Sequence, residues 1–207
     1  GTPAGLNRFD GTRFIQPFTR SEAQHSLADQ PVVSVKPDAD GNIWFLTRAG
    51  LIKYSWRTGE VYQVPQLKAD SLAQSGNGLL DIAPAPDGGL WLASARQLMV
   101  VHPDGRSATW DLPQRADGKP WQPSCLTFDA GGILWIGTNS GILFFDTKQQ
   151  TFTELLPAGS REKLSNAHIN CLFYDRDNSM WIGTGNGLNR FDPVDSRYET
   201  VLLAGKE

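Results

Sequence analysis

Four tryptophans, Trp44, Trp91, Trp135 and Trp181, recur at intervals of 47, 44 and 46 residues. Each sits in the same setting: Asp40-Gly41-Asn42-Ile43-Trp44-Phe45, Asp87-Gly88-Gly89-Leu90-Trp91-Leu92, Gly131-Gly132-Ile133-Leu134-Trp135-Ile136 and Asp177-Asn178-Ser179-Met180-Trp181-Ile182. A fixed period of this length means one supersecondary unit repeated along the chain, each copy burying its apolar face against the next. The downstream residues repeat too. Ile136-Gly137-Thr138 leads to Gly141-Ile142-Leu143-Phe144-Phe145-Asp146, and Ile182-Gly183-Thr184 leads to Gly187-Leu188-Asn189-Arg190-Phe191-Asp192. Gly50-Leu51-Ile52-Lys53-Tyr54 takes the same place in the second unit. The chain opens Gly1-Thr2-Pro3-Ala4-Gly5-Leu6-Asn7-Arg8-Phe9-Asp10, which fits the repeat from the end of its Trp strand onward.

One unit reads as four short strands. Ile169 to Tyr174 precedes an Asp/Asn/Ser turn, the Trp strand follows, Leu188 to Phe191 comes after a glycine, and Tyr198 to Leu202 closes the unit. The turns are rich in Gly, Asp and Asn, which tolerate positive φ. No segment of comparable length has helical periodicity. Four antiparallel strands per 40–50 residues is the sign of a β-propeller blade. The pattern therefore predicts an all-β chain, a single partial β-propeller of about four and a half four-stranded blades. The predicted blades are 1–18 (partial), 30–65, 77–113, 122–156 and 168–203. The tryptophan fills the wedge between sheets packed face to face. In the third unit Gln97 replaces the glycine after the Trp strand, which predicts a different turn there. Because residue 1 falls inside a blade, the ring is expected to be incomplete: a fragment, or one whose missing strands come from another chain. Apolar sheet faces left open at the ends would favour a homodimer.

Composition excludes several classes. Hydrophobic residues make up 40% and charged residues 20%, an ordinary globular balance, and the net charge is −3. A nucleic-acid surface would need a basic stripe, which is lacking. No apolar run is long enough to span a bilayer as a helix. No phosphate loop, nucleophile elbow, zinc-ligand spacing or compelling carboxylate pair occurs, so no cofactor, metal or catalytic residue is predicted. The acidic turns at Asp38–Asn42 and Asp175–Asn178 lack a downstream bidentate carboxylate, and read as hairpin turns rather than calcium loops. Cys125 and Cys171 both stand ten residues before a tryptophan, which puts them on first strands of adjacent blades. That placement admits a disulfide, but the favoured reading is two small buried hydrophobes.

First strands line the channel of a propeller, and long loops entering them crowd one mouth. Here those loops run over 18–30, 66–77, 112–122 and 157–168. The positions fourteen and thirteen before each tryptophan ring that mouth: Gln30 and Pro31, Asn77 and Gly78, Trp121 and Gln122, Ala167 and His168. Gln30, Asn77, Trp121, Gln122 and His168 are the candidate ligand-binding residues. A sugar would stack on Trp121 and bond to the amides. The competing reading has Trp121 covering a loop and the polar groups facing water. Trp56 lies in an outer turn on the other face, and Trp110, in phase with Phe14, Phe152 and Tyr198, is expected in the core.

The motifs Leu134-Trp135-Ile136-Gly137-Thr138 to Asp146 and Met180-Trp181-Ile182-Gly183-Thr184 to Asp192, with Gly1 to Asp10, resemble the two-component regulator propeller repeat. The likeness is strong in units one, four and five and loose in two and three. It implies a sensory, ligand-binding segment of a bacterial two-component signalling protein, a hybrid histidine kinase or diguanylate cyclase. Such a segment lies in the periplasm or on the extracytoplasmic side of the inner membrane, and meets the membrane only through segments outside this chain. Unit two, Asp40-Gly41-Asn42-Ile43-Trp44-Phe45 with Thr58-Gly59-Glu60-Val61, is similar to virginiamycin B lyase-like propellers, which use a divalent metal and a histidine base. His25 falls in a long loop and His102 in an outer strand or turn, leaving His168 near the mouth. The reading carried forward is a non-enzymatic sensor for a carbohydrate or other small ligand. A protein–protein scaffold and a metal-dependent lyase or lactonase stand behind it.

Overall fold

The computed structural model describes residues 6–15, 31–47, 50–68, 79–155, 164–192 and 197–201. The described strands form one two-stranded and four four-stranded antiparallel sheets. The short sheet pairs β1 (Arg8–Phe9) with β2 (Phe14–Ile15). Blade 2 is β3 (Val32–Pro37), β4 (Ile43–Thr47), β5 (Gly50–Tyr54) and β6 (Val61–Lys68). Blade 3 is β7 (Leu79–Pro84), β8 (Leu90–Ser94), β9 (Gln97–Val101) and β10 (Ser107–Asp111). Blade 4 is β11 (Pro123–Phe128), β12 (Ile133–Thr138), β13 (Gly141–Asp146) and β14 (Thr151–Glu154). Blade 5 is β15 (Ile169–Tyr174), β16 (Met180–Thr184), β17 (Gly187–Asp192) and β18 (Arg197–Val201). In every blade the strands are neighbours in chain order, the up-and-down arrangement of a propeller blade. The chain divides into two compact units, Gly1–Ala95 with Met99–Ala108, and Arg96–Leu98 with Thr109–Glu207.

The hairpin between first and second strands is built by an aspartate six residues before the tryptophan. Asp38 accepts the Asn42 amide at 2.8 Å on one oxygen and the Trp44 indole N–H at 2.9 Å on the other. Asp129 takes the Ile133 amide at 3.0 Å and the Trp135 indole at 2.9 Å. Asp175 takes the Ser179 amide at 2.8 Å and the Trp181 indole at 2.6 Å. The carboxylate thus closes the turn and fixes the indole in one rotamer. Blade 3 has Ala85 in that place and closes the turn through the backbone, the Ala85 amide donating to the Gly89 carbonyl at 2.7 Å. One residue in each turn must adopt positive φ: Gly41 (79°), Gly88 (83°), Gly132 (82°) and Asn178 (61°). Three are glycines and the fourth is asparagine, the side chain that best tolerates this region. The acidic turns are therefore hairpin clamps, as their spacing predicts.

A second turn, after the Trp strand, pairs Thr47 Oγ1 with the Gly50 carbonyl, Thr138 with Gly141 and Thr184 with Gly187, at 3.0, 2.7 and 2.9 Å. Those glycines have φ of 145°, 120° and 120°. Blade 3 spans the same two-residue gap from Ser94 to Gln97 without a positive φ, so the loop keeps its length and changes its backbone.

Each first strand carries a bulge near its start, between Val32 and Ser34, Leu79 and Asp81, Pro123 and Cys125, and Ile169 and Cys171. The bulge brings Ser34, Asp81, Cys125 and Cys171 opposite Leu46, Ala93, Gly137 and Gly183 of the Trp strand. The apolar residues between blades make the core. In the first unit Leu46 and Leu51 pack with Ile82, Leu90 and Leu92, and Leu6 packs on Phe45, Ile52 and Tyr54. In the second unit Trp135, Ile142 and Cys125 pack with Ile169, Leu172, Ile182 and Phe191. Third-strand aromatics stack on fourth-strand ones: Phe145 on Phe152 at 4.7 Å and Phe191 on Tyr198 at 4.8 Å. Trp110, expected in the core, is half-buried against Phe145 at 5.0 Å, and Phe14 is 75% exposed. A fourth strand is an outer strand, and its aromatic has a neighbour on one side.

Both cysteines are free thiols, Cys125 buried and Cys171 exposed. The burial expected of the pair holds for Cys125 alone, because Cys171 shares an uncovered first strand with Phe173, itself 65% exposed.

Three outcomes test this account. A Cβ on Gly137 would lie 2.5 Å from the Cys125 sulfur and 2.7 Å from Ile169 Cγ2. Gly137→Ala should therefore lower stability by about 1–3 kcal/mol in urea unfolding, and adding Cys125→Ala should recover part of the loss. Native protein should label at Cys171 with a thiol reagent, and at Cys125 only after denaturation. The third concerns acid. Donation from the Ser179 amide, then from the Trp181 indole, holds the Asp175 carboxyl below its ordinary value. The same sign holds for Asp38, where burial is outweighed by donors from Asn42 and Trp44. A depressed folded-state pKa gives stability that is complete above the ordinary aspartate value of about 4 and is lost as pH falls toward the folded value. Asp175→Asn should lower stability at neutral pH and flatten the acid limb of the stability–pH curve; an unchanged limb would contradict the clamp.

Candidate functional site

The starts of the first strands and the ends of the Trp strands share one end of each sheet, because these strands run antiparallel. The bulges lie there, and so do Trp121, Gln122 and His168. Gln30, Asn77 and Gly78 lie outside the described residues. Trp121, Gln122 and His168 are described.

In blade 4 the Gln122 carbonyl accepts the Asn139 amide at 3.0 Å, and its side-chain oxygen accepts the Asn139 side-chain N–H at 3.2 Å. In blade 5 the His168 carbonyl accepts the Gly185 amide at 2.8 Å. Gln122 and His168 thus hold equivalent positions on adjacent blades, and both side chains are exposed. The Ser124 hydroxyl in the bulge of β11 ties these strands together by donating to the Ile169 carbonyl at 2.6 Å.

Trp121 departs from the stacking platform the sequence suggests. It is only 5% exposed, and the Arg115 guanidinium lies over its ring, 5.3 Å from the centroid. Arg115 is held by an ion pair to Asp117 at 3.1 Å and by donation to the Ser140 hydroxyl. The indole is a buried floor under a cation, so a sugar has no free face of Trp121 to stack on in this arrangement. Two polar atoms here are buried without a partner: the Trp121 indole N–H, a donor, and Asn139 Oδ1, an acceptor. A buried unsatisfied group costs about 1–3 kcal/mol.

Residues the sequence reading passed over also build this end. Asn189, fully buried, accepts the Ser165 amide at 3.0 Å and donates to the Ser165 hydroxyl at 2.8 Å, while that hydroxyl meets Thr184 Oγ1 at 2.9 Å. This network seats the stretch entering blade 5. In the first unit the buried Asp81 carboxylate accepts the Ser34 hydroxyl and pairs with Lys36 at 3.2 Å. Ser34 and Asp81 stand ten residues before their tryptophans, the phase already visible for the cysteines. His102 is half-buried in the turn between β9 and β10, and His25 lies outside the described residues. Among the described residues no three of His, Cys, Asp and Glu converge as a metal site. Trp56 is 54% exposed on the surface, with the Arg8 guanidinium 4.9 Å from its ring.

Comparison with known proteins agrees with this geometry. The extracellular domain of a hybrid two-component system, BT4673 of B. thetaiotaomicron, superposes with a TM-score of 0.68 at 18% identity, over 96% of this chain and 25% of that one. Virginiamycin B lyase of Staphylococcus aureus gives a TM-score of 0.59 at 16% identity, over 86% of this chain and 57% of the lyase. The photosystem II assembly lipoprotein Ycf48 of Parasynechococcus marenigrum is 23% identical over 122 residues, 59% of this chain. The chain spans about a third of the length of that relative and a quarter of the BT4673 domain. These likenesses establish the β-propeller fold. The family described as two component regulator propeller matches residues 26–49 and 163–186. The first match covers the unit whose likeness looked loose and closer to the lyases. The two matched stretches contain the first two strands of blades 2 and 5.

Proposed function

We propose that the chain is a sensory segment of a bacterial two-component signalling protein, displayed outside the cytoplasm, and that it binds a small polar ligand such as a carbohydrate. The propeller repeat in blades 2 and 5 and the likeness to extracellular domains of two-component systems support the sensory reading. One observation carries the site: a buried donor on Trp121 and a buried acceptor on Asn139 lack partners inside the protein, beside the exposed Gln122 and His168. Ligand hydroxyls both donate and accept, and suit these two groups. Arg115 covers the indole and would have to give way to a ligand, and the exposed amide and imidazole supply the outer polar contacts. Gln30 and Asn77 remain proposed members of the ligand set.

A scaffold role is the second reading, favoured by the exposed side chains on first strands: Phe173 at 65%, Val33 at 44% and Val35 at 38%. A homodimer formed through those faces is its simplest form.

A thermal-shift screen against oligosaccharides separates the two. The expected result is a rise in Tm with one sugar class that Gln122→Ala or Asn139→Ala reduces by several-fold in affinity. Absence of a shift with every sugar, together with a light-scattering mass above that of the monomer, would replace the sensor by the scaffold.

A further inference from the structure

A second site lies away from this end, on the flank of blade 4. A groove of about 400 Å³ is lined by Asp129, Trp135, Phe144, Asp146, Thr151 and Phe191, among others. Its walls are aromatic: Trp135 meets Phe144 edge-on at 4.4 Å and Phe191 at 5.4 Å. It contains two carboxylates, and among the described residues no basic side chain lines it. The volume is that of a small-molecule site.

The sister blades show what the carboxylate and indole hold when a cation is present. The residue opposite the tryptophan on the third strand is Lys53 in blade 2, Phe144 in blade 4 and Arg190 in blade 5. In blade 2 the Lys53 ammonium lies 5.1 Å from the Trp44 ring centroid and 3.8 Å from the Asp38 carboxylate. In blade 5 Arg190 donates to Ser179 at 2.9 Å and adds its charge to those that hold the Asp175 carboxyl low. Blade 4 keeps the aspartate and the indole in the same hydrogen bond, but presents a phenyl ring where blades 2 and 5 present a cation. Asp146, at the end of β13, adds a second negative charge beside it.

We propose that this groove binds a small organic compound through a primary ammonium group. The ammonium takes the place that Lys53 fills in blade 2, held by Asp129 and Asp146, and the aromatic walls receive its alkyl part. Aromatic faces and fixed carboxylates both favour a cation over a neutral molecule of equal size. The proposal does not depend on the sensory reading or on the Trp121 end.

The test uses the 207-residue chain and n-butylammonium chloride, with n-butanol as the neutral probe. The indole N–H resonance of Trp135, assigned with Trp135→Phe, reports occupancy. The expected result is a saturable shift in about the millimolar range, weakened by salt and absent with butanol. Phe144→Lys builds the blade 2 arrangement into blade 4 and should abolish the response, since the protein's own ammonium then fills the place. Asp146→Asn, which removes charge and keeps shape, should weaken binding about tenfold, and it serves if the lysine variant does not fold. No saturable shift, an equal response to butanol, or undiminished binding by folded variants would overturn the proposal.

Discussion

The aspartate–indole hydrogen bond is the constraint on which the blades depend. An indole pressed between sheets must satisfy its N–H, since a buried donor without a partner is costly. An aspartate at the head of the preceding turn does this in blades 2, 4 and 5, and the same carboxylate ends the turn by taking backbone amides. One side chain therefore sets the turn, the register of two strands and the rotamer of the blade's tryptophan, which is buried in blade 4 and half-buried in blades 2 and 5. Blade 3 shows what remains without it: Ala85 keeps the backbone turn, and Asp87 caps the Gly89 amide at 2.9 Å.

The same economy explains where variation is tolerated. Trp, turn and bulge are fixed in position across the blades, so differences collect at the places these elements leave open. Opposite the tryptophan stand Lys53, Phe144 and Arg190. At the bulge end stand Trp121 with Gln122, and Ala167 with His168. A regular frame makes each open position comparable with its counterparts, and an aromatic where others carry a cation becomes informative.

Much of the frame was legible in the sequence. The tryptophan spacing located all four complete sheets, and the glycines foretold turns whose backbone requires positive φ. The Asp-x5-Trp spacing was there to be read in Asp38, Asp129 and Asp175, but an aspartate before a glycine reads first as a turn residue; its reach to the indole depends on the fold of the hairpin. The candidate ligand end was less legible. Trp121 is off the repeat and so looked available, whereas Arg115 covers it from an irregular stretch whose path no period reveals. Cys171 shared its phase with Cys125, yet burial depends on what covers a strand, and identical phase gives different exposure.

The bulged first strands carry a consequence for which substitutions the blades accept. Ser34, Asp81, Cys125 and Cys171 occupy one geometric place, facing Leu46, Ala93, Gly137 and Gly183 of the Trp strand. Where the first-strand residue is cysteine its neighbour is glycine, and a Cβ there would meet sulfur at 2.5 Å. The two strands are thus coupled at this place: a side chain added at Gly137 or Gly183 needs a smaller partner than cysteine on the first strand.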